Sequence, residues 1–137
     1  MKPVLLVLLF LSLFINNSAA QKKIKSKQPI AAKKGAVRYG IASYYAKKFD
    51  KRKTANGEIY RAKKNSAACN VLPLNTWIRV TNLRNNKSII VKINDRLHPK
   101  NKRLVDLSWS AAKELRYISR GLTRVKVEVL KNFHPVE

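Results

Sequence analysis

Asp95 is the acidic residue whose position in the sequence best fits chemistry. It ends a strand-like run, SIIVKIND, in which alternation places it on the same side as Ile89, Val91 and Ile93. That side is apolar, and partial desolvation favours the neutral form of a carboxyl group, which suits a general acid. The charge of the neighbouring Arg96 acts in the opposite direction. A second interpretation stays open, in which Asp95 only ends the strand and pairs with Arg96 or caps a loop.

Other candidate groups are few, because only 7 acidic residues stand against 30 basic ones. Glu58 lies in a polar turn, residues 54–58 (TANGE). Three interpretations of Glu58 stay open: a second carboxylate of the site, an acceptor for a sugar hydroxyl, or an exposed loop acid. Cys69 has no cysteine partner, so it is either a small buried side chain or a reactive thiol. His98 and His134 lack the spacing of metal ligands, and we expect neither a metal nor an organic cofactor.

Short β-strands must position these groups. β-branched and aromatic residues concentrate in four segments, residues 39–45, 77–82, 88–94 and 125–130, with an Asn pair between the second and third that suits a hairpin turn. One helix is predicted over residues 108–118, with Asp106 or Ser108 as its cap and Gly121 in the exit turn. Several short strands and a single helix predict a small, mainly β barrel.

The first 20 residues have the pattern of a secretory signal peptide. A lysine precedes twelve uncharged, mostly apolar residues, and small residues precede Gln21. The alternative is a membrane anchor, but such a run would cover roughly 18 Å of a hydrocarbon core about 30 Å thick. We therefore expect a signal peptide (1–20), a flexible basic linker (21–36), the folded domain (37–131) and a C-terminal tail (132–137), with the mature protein in the periplasm or cell envelope.

The net charge of +23 predicts anionic partners. In a cytoplasmic protein this charge would indicate nucleic acid, but an exported protein meets anionic envelope polymers and lipid headgroups instead. We therefore expect a monomer that binds such polymers or lipids through its basic surface and does not bind nucleic acid.

Six segments, taken in order, resemble the rare lipoprotein A (RlpA-like) family. They are residues 40–45 (GIASYY), 54–58 (TANGE), 72–83 (with LPLNT and RVTNL), 91–96 (VKINDR), 105–112 (VDLSWSAA) and 125–130 (VKVEVL). The resemblance implies a six-stranded double-psi β-barrel with one or two short helices, in a bacterial cell-wall protein similar to lytic transglycosylases that act on peptidoglycan glycan strands. It also implies Asp95 and Glu58 as catalytic residues, and a substrate-binding role for Tyr44, Asn56, Cys69 and Arg96.

One departure from the family concerns position 69. Active members usually have Ala-Ala-His where this chain has Ala67-Ala68-Cys69, and a thiol does not reproduce the acid–base range of an imidazole. His98, three residues after Asp95, is a candidate to replace part of that function.

Two functions stay open from the sequence. One is an endolytic transglycosylase that cleaves between MurNAc and GlcNAc and forms 1,6-anhydro ends, with Asp95 as general acid and base. The other is a non-catalytic, expansin-like module that binds or loosens wall glycan.

Overall fold

Six strands and two short helices make up residues 33–136, the part of the chain that the computed structural model describes. The strands are β1 (Lys33–Tyr44), β2 (Ser66–Ala68), β3 (Trp77–Asn82), β4 (Ser88–Asp95), β5 (Val105–Leu107) and β6 (Thr123–Lys131). The helices are a 3-10 turn (Lys47–Phe49) and α1 (Trp109–Glu114). The strands predicted at 77–82, 88–94 and 125–130 are confirmed, whereas the pattern did not indicate β2 and β5.

The strands close into a barrel in the order β1-β5-β2-β4-β3-β6. Two neighbouring pairs, β1 with β5 and β2 with β4, are parallel, and the other four pairs are antiparallel. The mainly β, six-stranded barrel with a short helix is therefore confirmed.

The hairpin of β3 and β4 forms because every second residue is apolar. In β4 the buried residues Ile89, Val91 and Ile93 point into the barrel, where each contributes about 1.5–3 kcal/mol by leaving water. β3 alternates in the same way and pairs antiparallel with β4. The turn between them contains Asn86 with a φ of 57°, which agrees with the predicted Asn pair.

β1 is longer than predicted at its start. It pairs with β6 from Lys33, whose partner is Lys131, so the domain boundary predicted at residue 37 falls inside the strand. Residues 33–36 belong to the barrel and not to the linker. The reason is that β6 extends to Lys131 and offers pairing partners that the composition of residues 33–36 does not reveal.

Helix α1 is shorter than the predicted 108–118. The side-chain amides of Asn82 and Asn85 donate to the carbonyl of Leu115 at 2.8 and 3.0 Å, and Arg116 follows with a left-handed φ of 58°. These contacts end the helix after six residues, less than two turns from its start. Its N-cap is Ser108, the second of the two predicted candidates.

The predicted signal peptide and residues 21–32 of the predicted linker lie outside the described residues. Within residues 33–136, no helix is long and apolar enough to cross a membrane. In the predicted tail, Phe133 packs against Trp77 with ring centroids 5.2 Å apart.

Candidate functional site

Two acids lie at the same level of the barrel, on either side of β2. Ala68 pairs with Asp95 of β4 on one side and with Asp106 of β5 on the other. Because neighbouring strands are about 4.8 Å apart, the Cα atoms of the two acids are roughly 10 Å apart. Both acids are half-buried and line one cavity of about 800 Å³. We call it the Asp95 pocket; its lining also includes Tyr45, Phe49, Tyr60, Arg96, His98 and Arg103.

The Asp95 carboxylate accepts three hydrogen bonds. Oδ1 accepts from the backbone N–H of Ala55 at 3.0 Å and from that of Arg96 at 2.8 Å. Oδ2 accepts from the Tyr45 hydroxyl at 2.7 Å. A carboxylate oxygen has two acceptor positions, so both positions of Oδ1 are used and one position of Oδ2 is left for a ligand.

The alternation predicted that Asp95 would continue the inner face of β4, but it does not. The register between β2 and β4 shifts: Ala67 pairs with Ile93 and Ala68 with Asp95, so Asn94 is an extra residue in β4. Asn94 is buried and Asp95 is half-buried. The bulge therefore directs the Asp95 side chain into the pocket and not into the apolar core.

Aromatic rings form one wall of the pocket. The Tyr45 ring stacks on Tyr60 with centroids 4.5 Å apart and meets Phe49 edge-on at 5.8 Å. Burial, together with the hydrogen bond to Asp95, raises the pKa of the Tyr45 hydroxyl far above its usual value. The hydroxyl therefore stays protonated over the neutral pH range and can donate to Asp95.

Asp106 is the second acid of the pocket, and sequence reasoning considered it only as a helix cap. Arg103 holds it through two hydrogen bonds, from Nε at 2.7 Å and from a terminal nitrogen at 2.8 Å. This bidentate pairing raises the pKa of the Arg103 guanidinium above its usual value. The sequence indicated a role for Asp106 only through the VDLS segment of the family resemblance. Periodicity could not show which way Asp106 points, because its strand has only three residues.

Glu58, the other predicted catalytic acid, lines a different depression. Its carboxylate forms an ion pair with Lys92 and accepts a hydrogen bond from Nδ2 of Asn94 at 3.1 Å. The hydrogen bond from Lys92 lowers the pKa of Glu58. Trp77 and Lys92 line this depression with it. The structure thus does not bring the two predicted catalytic carboxylates into one pocket.

The TANGE turn reaches Asp95 through its backbone. Asn56, predicted to bind substrate, uses its side chain inside the turn: Oδ1 accepts from the Thr54 hydroxyl at 2.8 Å and from the Glu58 N–H at 3.1 Å. Its Nδ2 donates to Asn75 at 2.9 Å. These bonds hold the turn across the end of β4, where the N–H of Ala55 meets the Asp95 carboxylate.

Cys69 does not contact the pocket, which corrects its predicted substrate-binding role. Its side chain is fully buried in the core. The backbone of Cys69 supports the site instead: its N–H donates to the Asp95 carbonyl at 3.1 Å, and its carbonyl accepts from the Arg96 guanidinium. Arg96 also donates to the Leu72 carbonyl at 2.6 Å, so it both lines the pocket and anchors the neighbouring loop.

Tyr44 and His98 both line the Asp95 pocket. The Tyr44 hydroxyl donates to the carbonyl of Ile118 at 3.0 Å, so it is already used by a contact within the fold. His98 is exposed, and its Nδ1 accepts from the N–H of Lys100 at 3.2 Å. The neutral ring therefore has its proton on Nε2, the nitrogen left for a ligand.

The sequence profile of the lytic transglycolase family matches residues 37–127 of this chain. The chain belongs to this family. Within it, the endolytic peptidoglycan transglycosylase RlpA of Haemophilus influenzae is 52% identical over 97 residues, which are 71% of this chain and 34% of that protein. RlpA of Pseudomonas aeruginosa is 51% identical over 89 residues, 65% of this chain and 26% of that protein. The chain is therefore RlpA-like, and it spans about a third or less of the length of these relatives.

Solved structures place this RlpA-like chain among double-psi β-barrels. A Streptomyces papain inhibitor aligns with a TM-score of 0.59 and 22% identity, covering 73% of this chain and 99% of the inhibitor. An expansin of Clavibacter michiganensis aligns with a TM-score of 0.61 and 15% identity, covering 73% of this chain and 53% of the expansin. At these identities the likeness concerns the fold.

Proposed function

We propose that the chain is an endolytic peptidoglycan transglycosylase that acts, as a monomer, in the periplasm or cell envelope. In this proposal it cleaves the glycosidic bond between MurNAc and GlcNAc and forms 1,6-anhydro ends. The names of its RlpA relatives support the reaction class. The single observation that supports the mechanism is the Asp95 carboxylate, whose Oδ2 keeps a free acceptor position inside an aromatic and basic pocket.

The first step is proton donation to the leaving oxygen. Asp95, protonated on Oδ2, gives its proton to the glycosidic oxygen as the bond to the anomeric carbon of MurNAc breaks through an oxocarbenium-like state. The Tyr45 hydroxyl can donate to Oδ2 in both proton states of Asp95, because a protonated carboxyl keeps acceptor capacity, so the proton of the acid is left for the glycosidic oxygen.

The second step is closure of the anhydro ring. The Asp95 carboxylate takes the proton from the 6-hydroxyl of the same MurNAc residue as that oxygen attacks the anomeric carbon. Asp95 regains its proton, and no water is consumed. One acid serves both steps because the attack is intramolecular, where effective molarities are high.

The rest of the pocket suits a glycan with carboxylate groups. The half-buried rings of Tyr45 and Phe49 offer apolar faces to sugar rings, and the buried ring of Tyr60 supports Tyr45 from behind. Arg52 and Lys53 line the same cavity, and cations at these positions would attract the lactyl carboxylates of muramic acid.

The test compares Asp95→Asn with Glu58→Gln on glycan strands freed of stem peptides, with 1,6-anhydro ends counted by mass spectrometry. Asn keeps Oδ1 for the two backbone donors but cannot transfer a proton. We expect a loss of activity of about 10²–10⁴-fold for Asp95→Asn, the range of general acid–base catalysis, and less than about threefold for Glu58→Gln. Equal yields from wild type and Asp95→Asn would refute the catalytic role of Asp95.

A second candidate is a non-catalytic module that binds or loosens wall glycan. The buried thiol of Cys69 favours it, because position 69 then adds no acid–base group to the pocket. This function predicts that the protein sediments with sacculi in a salt-dependent manner and releases no anhydro-muropeptides.

A further inference from the structure

A second depression, of about 820 Å³, lies beside helix α1 and shares no lining residue with the Asp95 pocket. It is formed where the start of β4, the helix and the loop before β2 meet. Its lining consists of Lys63, Lys87, Ser88, Trp109, Ser110, Lys113, Glu114 and Arg116. We call it the α1 pocket.

The α1 pocket concentrates positive charge. Four of its eight lining residues are cations and one is an acid. That acid, Glu114, accepts a hydrogen bond from the side chain of Asn65 at 3.0 Å. Within residues 33–136, none of the four cations forms an ion pair with Glu114 or another carboxylate. The pocket thus has a net charge of about +3 that no neighbouring acid neutralises.

Trp109 is the aromatic residue among the lining residues of the α1 pocket. The indole is half-buried, and the ammonium of Lys113 lies over its ring at 5.1 Å from the centroid. This contact holds one cation at a defined position instead of leaving it to bulk solvent. It also makes Trp109 a fluorescent reporter of any anion that binds to Lys113.

Arg116 occupies a backbone position that normally favours glycine. It follows the last residues of α1 with a φ of 58°, in the left-handed region. Asn82 and Asn85 fix the preceding carbonyl of Leu115, so the conformation is set by the fold and not by the arginine. Arg116 therefore keeps a cation at the edge of the pocket although glycine would suit this backbone conformation better.

We propose that the α1 pocket is a binding site for phosphate groups. Three of its four cations are lysines, which bind phosphate as compact point charges, and the guanidinium fork of Arg116 matches the geometry of phosphate oxygens. The site is independent of the Asp95 pocket and would hold the protein on a phosphate-bearing surface or polymer while the glycan is bound elsewhere.

The test measures quenching of Trp109 fluorescence by inorganic polyphosphate in a Trp77→Phe background, which leaves Trp109 as the remaining tryptophan. The triple variant Lys63→Gln, Lys87→Gln, Lys113→Gln removes three charges of the pocket. The matched control is Arg38→Gln, Arg120→Gln, Arg124→Gln, which removes three exposed charges that do not line the α1 pocket. The control therefore has the same net charge as the pocket variant. Because Lys113 contacts the indole, affinities are also measured by calorimetry.

We expect the pocket variant to bind polyphosphate at least about tenfold more weakly and the control less than about threefold more weakly, since only the former loses charge-assisted contacts. Equal weakening in both would show that the overall charge acts alone, and would overturn the proposal. Equal affinity of the wild type for polygalacturonate, a carboxylate polymer, would overturn the preference for phosphate.

Arg116→Gly separates binding from folding. Because glycine suits the left-handed position, we expect Tm to stay the same or rise while polyphosphate binding weakens at least about threefold. Unchanged binding would exclude Arg116 from the site. Vesicles of phosphatidylglycerol, compared with vesicles of phosphatidylcholine, identify the source of the phosphate. If the wild type binds phosphatidylglycerol vesicles and the pocket variant does not, the ligand is a lipid phosphate. If the wild type binds polyphosphate but not these vesicles, the ligand is a soluble or polymer phosphate.

Discussion

Replacing Tyr45 by Phe removes a single oxygen from the Asp95 pocket and leaves the ring in place. The contacts of the ring with Tyr60 at 4.5 Å and Phe49 at 5.8 Å do not involve the hydroxyl. What is lost is the 2.7 Å hydrogen bond to Oδ2 of Asp95. Under the proposed function, this bond sets the direction of the oxygen that exchanges the proton.

The effect on stability follows from the type of bond. A hydrogen bond to a charged group contributes about 1.5–3 kcal/mol, and because Tyr45 and Asp95 are only half-buried we take the lower end. For a domain of this size, a loss of about 1.5 kcal/mol lowers Tm by roughly 5–10 °C.

The effect on activity is expected in kcat. The backbone donors of Ala55 and Arg96 still hold Oδ1 of Asp95, so the carboxylate keeps its place while Oδ2 loses its partner. Misdirection of a reacting group is worth up to about 10²-fold, so we expect kcat to fall about 10–100-fold and KM to change less than about threefold.

Tyr44→Phe is the matched control. Tyr44 also lines the pocket, but its hydroxyl donates to the carbonyl of Ile118 at 3.0 Å and not to Asp95. Thermal unfolding and initial rates of anhydro-muropeptide release are measured for both variants. The reasoning is refuted if Tyr45→Phe keeps the wild-type kcat, or if both variants lower kcat by the same factor.

The raised pKa of Tyr45 adds a test at high pH. The unfolded chain releases the phenolic proton near pH 10, whereas the folded chain keeps it, so rising pH above that value favours the unfolded state. Burial raises the pKa of Tyr117 in the same direction. Between about pH 9 and 11, Tyr45→Phe should therefore lose less stability than the wild type in urea unfolding.

Three further changes test other parts of the structure. Because pairing with Lys92 lowers the pKa of Glu58, this pair stabilises the fold above the unfolded pKa of about 4.3, and the stabilisation is lost as pH falls through the pKa of Glu58 in the folded chain. Glu58→Gln should remove this pH dependence of the free energy of unfolding, which is worth less than about 1 kcal/mol at so exposed a site. The measurement is urea unfolding at neutral and acid pH. Cys69→Ser buries a hydroxyl in the core and should lower the free energy of unfolding by about 1–3 kcal/mol. A thiol reagent should modify Cys69 of the native protein only as fast as the domain opens by local or global unfolding, and faster modification would contradict the burial of this thiol. Gly40→Ala would place a Cβ 2.6 Å from Cβ of Leu104, so we expect the free energy of unfolding to fall by about 1–3 kcal/mol in the same assay. Unchanged stability would show that β1 can move away from the loop that contains Leu104.

The long antiparallel strands could be predicted because their signals are local. β3 and β4 follow each other in sequence, alternate apolar and polar residues and are joined by a turn whose Asn86 takes a positive φ. β2 and β5 could not be predicted in this way, since each has three residues and pairs with strands far away in the chain. Their existence depends on closure of the barrel and not on their own composition.

Alternation singled out Asp95, but for a reason that the structure corrects. It predicted an acid inside the barrel, whereas the extra residue Asn94 shifts the register against β2 and directs Asp95 outward into the pocket. The partners of Asp95 were likewise beyond local reasoning, because Tyr45 is 50 residues away in sequence and Ala55 is 40 residues away. Only the fold brings these donors to one carboxylate.

At position 69 the main chain, and not the side chain, contacts the residues of the site. The Cys69 side chain is enclosed in the core, while its N–H meets the carbonyl of Asp95 and its carbonyl meets the guanidinium of Arg96. Both contacts are made by the main chain, so they depend on the path of the backbone and not on whether a thiol or an imidazole is attached. The imidazole that does line the Asp95 pocket belongs to His98, on the loop that follows Arg96. In this chain the imidazole beside Asp95 therefore comes from that loop, and position 69 acts through its peptide groups.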